Sequence, residues 1–177
     1  MFRLKKRPFS FFIAILLIVV ELLYATKTLR TIPCQNKIND LFLSNFVHTD
    51  IWHLLTNLYG LAVISKIEEV IGTRKFMLLI AFNLLTFVTI DYLYRKVFNA
   101  KCSVGFSGIL YGLLFYELIE MKQISVNLGL SVILYLAASQ ITNSSVSLSS
   151  HLLGIISGII STYLMKIETQ IKLKSNK

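Results

Sequence analysis

The chain has 177 residues, of which 55% are hydrophobic and only 15% charged, with a mean hydropathy of +0.68 and a net charge of +9. This length suits one domain, and a charged fraction well below the roughly 25% of soluble proteins, gathered around long apolar blocks, excludes a soluble globular protein. The basic residues lie at the ends of the apolar blocks rather than on a reading helix, which fits membrane potential and anionic lipid and excludes a nucleic-acid partner; the only two cysteines, Cys34 and Cys102, form no CxxC pair and exclude a zinc ribbon or a disulfide scaffold.

The apolar blocks predict an all-α polytopic membrane protein of six spans. Arg3, Lys5, Lys6 and Arg7 precede the first, over residues 9–25. A basic start and apolar core also describe a signal peptide, but the run is long and no clear A-x-A site follows it, so it reads as a transmembrane helix. Residues 26–50 form a polar loop with a short apolar patch at 41–47, too short to span and suited to the interface. Span two covers residues 51–65, and a charged turn carries Glu68, Glu69, Arg74 and Lys75. Span three covers 76–94, and a short basic loop leads to span four at 104–118. Span five covers 124–141, a polar loop 142–147, span six 148–165, and a basic tail 166–177. The whole chain reads as one membrane domain. An even number of spans puts both termini on one side, and that side holds most of the 18 lysines and arginines, so both ends are expected in the cytoplasm. No internal repeat supports a transporter of duplicated halves.

In this topology spans two, four and six all run inward from the outer or lumenal side. His53, Ser107 and His151 lie near their starts, at one shallow depth, and His48 lies just outside span two. One histidine at membrane depth is readily a hydrogen-bonded packing residue; two histidines, a serine and an asparagine at one depth are harder to dismiss. His53 and Asn57 share a helix face, as do Ser107 and Tyr111. Gly108 with Gly112, and Gly154 with Gly158, make two small-residue faces through which spans four and six can approach, bringing Ser107 towards His151. Alone, Gly105-Phe106-Ser107-Gly108 is better explained as a packing motif.

The chemistry follows from the residue types. A serine hydroxyl needs a base to become a nucleophile, and His151 can take its proton and later return it to a leaving amine. Asn57, His53 and the Ser107 backbone N–H can donate to an oxyanion, and Tyr111 can stack on His151. Asp50, Glu21 and Asp91 are the nearest carboxylates by depth, and none is evidently placed to complete a triad, so a Ser–His dyad is expected. The stretch from His53 to Asn57 lacks the HExxH pattern of a zinc protease, and no phosphate loop or dinucleotide fingerprint occurs; neither metal nor cofactor is expected. A pore is disfavoured because the polar groups gather at one end.

In order and spacing, His48-x4-His53-x3-Asn57, Glu69-x2-Gly72, Gly105-Phe106-Ser107-Gly108 with Tyr111 and Gly112, and His151-x2-Gly154-x3-Gly158 resemble the rhomboid family of intramembrane serine proteases over nearly the whole chain. The resemblance implies a six-helix core with Ser107 as nucleophile, His151 as general base, and His53 and Asn57 lining the oxyanion hole. It implies that Tyr111 packs on His151, that Gly105 and Gly108 permit the turn at the nucleophile, and that His48 is structural. Substrates would be single-span membrane proteins, cut near the outer end of the helix. The first-loop Trp-Arg pair of many bacterial members is absent. The alternative is a catalytically silent relative that binds transmembrane clients.

Smaller features carry open readings. Asn143-Ser144-Ser145 is a glycosylation sequon close to span six. Residues 143–147 are an ordinary connector or, by analogy with the family, a cap over the site. Cys34 and Cys102 fall in outer loops and are unrelated thiols unless an oxidising compartment joins them. Glu68 and Glu69 are expected to pair with Lys66, Arg74 or Lys75.

Overall fold

Proline is favoured at the first helical position, because its fixed φ suits the helix and its missing N–H costs nothing there. In the computed structural model, which describes residues 5–29, 38–100, 104–121 and 148–175, Pro8 opens α1 (Pro8–Ala25) in this way. The free N–H groups that follow it need acceptors, and they find one across the bundle. The Glu68 carboxylate accepts from Phe9 N and Ser10 N, both at 2.9 Å, and from Ser10 Oγ at 2.6 Å. It also accepts from Thr73 Oγ1 at 2.9 Å and is 1% exposed. A buried carboxylate at a helix N-terminus is stabilised by the helix dipole as well as by these bonds. Glu69 pairs with Arg7 at 2.6 Å, and Arg7 continues to Ser65 Oγ at 2.8 Å. The expected partners Lys66, Arg74 and Lys75 are therefore replaced by the start of α1, because the chain entry, not the local turn, has unpaired donors to satisfy.

The other helices among the described residues are α2 (Ile38–Ser44), α3 (Ile51–Ile64), α4 (Lys66–Ile71), α5 (Thr73–Phe98), α6 (Ser107–Tyr116) and α7 (Leu148–Ser175). A π-helical turn, Glu117–Met121, extends α6, and Glu120 in it pairs with Lys166 of α7 at 2.7 Å. The described residues contain no strand, so the fold is all-α. Among them, α1, α5 and residues Leu148–Lys172 of α7 are long and apolar enough to cross a bilayer. At 14 residues α3 rises about 21 Å, short of the hydrocarbon thickness. The fifth predicted span at 124–141, the loop at 142–147, Cys34, Cys102 and Asn143 lie outside the described residues.

Two predicted segments differ in form. The patch at 41–47 is not simply an interfacial strip: α2 turns Leu41 inward to 1% exposure and Val47 follows at 2%. The charged turn after span two is itself helical as α4, closed by Gly72 at φ +82°, a conformation that glycine adopts without strain.

Helices α6 and α7 form the tightest seam. A Cβ on Gly154 would fall on the Gly108 carbonyl, and one on Gly158 on the Gly112 carbonyl, so the two glycine faces meet backbone to backbone. A polar side of the same seam was not anticipated. Asn83 of α5 is fully buried, donates to Ile109 O at 2.9 Å, and accepts from Ser157 Oγ. Thr86 and Ser161 share a further hydroxyl contact at 3.2 Å. Between apolar helices, such bonds fix rotation and register where hydrophobicity alone does not discriminate.

Candidate active site

Ser107 stands where the chain changes from turn to helix. Gly105 has φ +109° and donates its N–H to Ser44 O at 3.0 Å, so the strand of chain before Ser107 is tied to the end of α2. A Cβ at Gly105 would come within 2.7 Å of the His53 ring, so glycine is required both by the backbone angle and by the imidazole lying against it. Phe106 anchors the turn at 1% exposure and packs on Phe46 with ring centroids 5.9 Å apart. Ser107 then opens α6, which leaves its backbone N–H among the first-turn donors that have no acceptor within the helix.

His151 comes from the first turn of α7. Its Nε2 lies 3.2 Å from Ser107 Oγ, with Ser107 7% and His151 2% exposed. The Tyr111 ring, one turn along α6 from Ser107, packs on the imidazole with centroids 4.4 Å apart and planes at 42°. That contact covers one side of the imidazole. Among the described residues His151 Nδ1 has no hydrogen-bond partner, and the nearby carboxylates are engaged elsewhere. Asp50 caps α3 by accepting from His53 N at 2.9 Å, Asp91 pairs with Arg95 at 2.6 Å, and Glu21 accepts from the His48 backbone. Among the described residues the arrangement is a two-residue one.

Asn57 is fully buried on α3, one turn after His53, and gives an amide N–H to His53 O at 2.8 Å. Its second amide hydrogen stays available. No hydrogen bond among the described residues joins Asn57, His53 or His48 to Ser107. His53 makes its approach through Gly105, and His48 packs edge-on against His53 with centroids 5.1 Å apart. His48 is 4% exposed, and neither of its ring nitrogens has a hydrogen-bond partner among the described residues. Burial, and then the neighbouring His53, push its pKa down to about 3 against a pull from Asp50. His48 is therefore a neutral ring at physiological pH. Asp50 is held below the usual carboxylate range by the His53 backbone N–H. Gly108 accommodates Phe87, whose ring a Cβ there would strike at 2.6 Å.

Chemically, a hydroxyl in contact with an imidazole, at the positive end of a helix and inside a helical bundle, has the parts for nucleophilic attack assisted by a base. The groups that sequence reasoning passed over are Thr49, Asn83 and Ser157. Thr49 lies within the His48–His53 stretch, and Asn83 and Ser157 are polar residues inside apolar blocks, which was the available signal.

The Rhomboid domain family matches residues 35–167 of the chain. This chain belongs to the rhomboid family. A protein of Acanthamoeba polyphaga mimivirus that carries the rhomboid name is 29% identical over 154 residues, covering 82% of this chain and 85% of its own length. Rhomboid-related protein 4 of Rattus norvegicus is 36% identical over 89 residues, which are 45% of this chain and 28% of the relative. Its Mus musculus counterpart is 37% identical over 83 residues, 41% of this chain and 26% of the relative. The match to these two mammalian rhomboids thus covers under a third of their length. Family and apolar helices together make this rhomboid an integral membrane protein.

Proposed function

We propose that this rhomboid is a serine endopeptidase that cleaves transmembrane segments of other membrane proteins by a Ser107–His151 dyad. The observation that carries the reading is the 3.2 Å contact between Ser107 Oγ and His151 Nε2, both buried inside the bundle. In the first step His151 Nε2 accepts the hydroxyl proton as Oγ attacks the substrate carbonyl carbon, giving a tetrahedral oxyanion. The Ser107 N–H and the second Asn57 amide hydrogen are the donors for that oxyanion, and the His53 ring joins them when it is protonated. The imidazolium of His151 then protonates the leaving amine, the C–N bond breaks, and an acyl ester remains on Ser107. Water, deprotonated by the same imidazole, attacks the ester and frees the serine. Tyr111 does for ring orientation what a third carboxylate does in a triad.

The substrates are membrane proteins with a single span, cut towards the outer or lumenal end of the helix, with both termini of the rhomboid in the cytoplasm as the basic residues favour. The test is cleavage of a model single-span substrate by the purified protein in bilayers. Cleavage by the unmutated protein and none by Ser107→Ala is the expected result. Undiminished cleavage by Ser107→Ala contradicts it, and intact substrate co-purifying with an inert unmutated protein identifies a client-binding rhomboid instead.

A further inference from the structure

Thr49 Oγ1 lies 2.9 Å from Asp50 Oδ2 and 3.2 Å from His53 Nδ1. A hydroxyl has one hydrogen to give. Asp50 is held below the usual carboxylate range by the His53 backbone N–H and by Thr49, so at neutral pH it is ionised and only accepts. The Thr49 hydrogen therefore goes to Asp50, and the Thr49 lone pair is left to take a proton-bearing nitrogen. We infer that Thr49 is a positioning residue that fixes neutral His53 as its Nδ1–H tautomer, leaving Nε2, the nitrogen against Gly105, as an acceptor.

The consequence bears on the proposed oxyanion hole, and it rests on that reading for its catalytic part alone. An acceptor nitrogen repels an oxyanion. His53 becomes a donor at Nε2 only as the imidazolium, with Nδ1–H still on Thr49 and the charge compensated by Asp50 through the same hydroxyl. Three titratable groups act on it. Asp50, which caps its helix, favours the cation. His48 from the preceding loop and His151 from α7 oppose it only when they are themselves charged. Asn57 is the donor at every pH and His53 a donor that strengthens as pH falls, since the imidazolium fraction grows below its pKa. Exposure of Thr49 makes its replacement mild for the fold.

The test is 15N NMR of the full chain labelled at histidine, with the His53 signals assigned from His53→Ala. In the unmutated protein at neutral pH, Nδ1 should carry the proton and Nε2 should not. Thr49→Val, which keeps the shape and removes the hydroxyl, should shift the proton towards Nε2, and Thr49→Ser should restore the original tautomer. A protonated Nε2 in the unmutated protein, or an unchanged tautomer in Thr49→Val, overturns the inference. These readings need no turnover, so they stand or fall separately from the protease reading. Where the protein cleaves, the rate ratio of unmutated protein to His53→Ala should rise towards acid pH, and should be flat in the Thr49→Val background; a flat ratio in the unmutated background contradicts the pH-dependent donor.

Discussion

The two ends of α3 treat buried polar groups in opposite ways. At its C-terminal end Glu68 accepts four hydrogen bonds, and Arg7 satisfies Glu69, Ser65 and a backbone carbonyl. At its N-terminal end, among the described residues, neither His48 ring nitrogen, nor Asn57 Oδ1, nor His151 Nδ1 has a hydrogen-bond partner. An unmade bond on a buried polar atom costs about 1–3 kcal/mol, so the first end contributes stability and the second forgoes it. Strain of that sort is tolerated at a site whose groups are held ready for another molecule. The comparison teaches that residues of similar burial have different jobs: the clamp fixes α1 on the bundle, while the Ser107 end is arranged around chemistry.

Substitutions at the two ends should therefore separate rate from stability. The largest rate effect short of the dyad is expected at Asn57: Asn57→Ala should lower kcat about 10²–10³-fold with KM little changed, as for loss of one oxyanion donor. Steady-state cleavage of a model substrate reads this directly, and a change in KM alone would assign Asn57 to substrate binding. Gly154→Ala is next. Its methyl would strike the Gly108 carbonyl, so α7 must move off α6 and carry His151 away from Ser107. A displacement near 1 Å costs about 10²-fold in rate, and overpacking costs about 1–3 kcal/mol, so this one variant should fail in both assays.

Glu68→Ala should behave in the opposite way to Asn57→Ala. Four donors lose their acceptor, and we expect a loss of about 3 kcal/mol in detergent unfolding, with normal kcat in the molecules that remain folded. Equal losses of rate and stability would show that the clamp and the site are one unit. At neutral pH the smallest effect is that of His48. Its folded pKa of about 3 lies below the ordinary histidine value of 6.5, so the unfolded chain binds the extra proton between those values. Stability should therefore fall as pH drops from about 6.5 towards about 3, and His48→Gln should flatten that limb. Asp50, also lowered, adds an acid-sensitive contribution of the same sign below its own unfolded value. An acid limb as steep in His48→Gln as in the unmutated protein would remove His48 from this account.

Much of the fold was legible because lipid enforces a simple code: long apolar runs must close their own backbone hydrogen bonds as helices. The run at 9–25 and the observed α1 agree to one residue, and α3 begins at the expected Ile51. The small-residue spacing also announced the α6–α7 seam, since only glycine lets two carbonyl backbones come so close. Ends governed by specific bonds were less legible. Helix α6 starts at Ser107 rather than 104 because Gly105 is bent out of helical geometry and held by Ser44. Apart from Thr73, the partners of Glu68 and Glu69 lie about 60 positions upstream, beyond any local pattern. Asn83 and Ser157 looked like isolated polar residues in apolar blocks, and only three-dimensional proximity pairs them. At the site, depth and helix face brought Ser107, His151 and Tyr111 onto the same page, but the turn of the Asn57 amide towards His53 O depends on a rotamer that no spacing encodes.

The most direct test of the central claim is labelling of the purified protein with a serine-reactive fluorophosphonate. The account predicts covalent labelling at Ser107 in the unmutated protein, abolished by Ser107→Ala and by His151→Ala while both variants remain folded. Labelling that survives in His151→Ala at the unmutated rate would contradict an imidazole-activated Ser107.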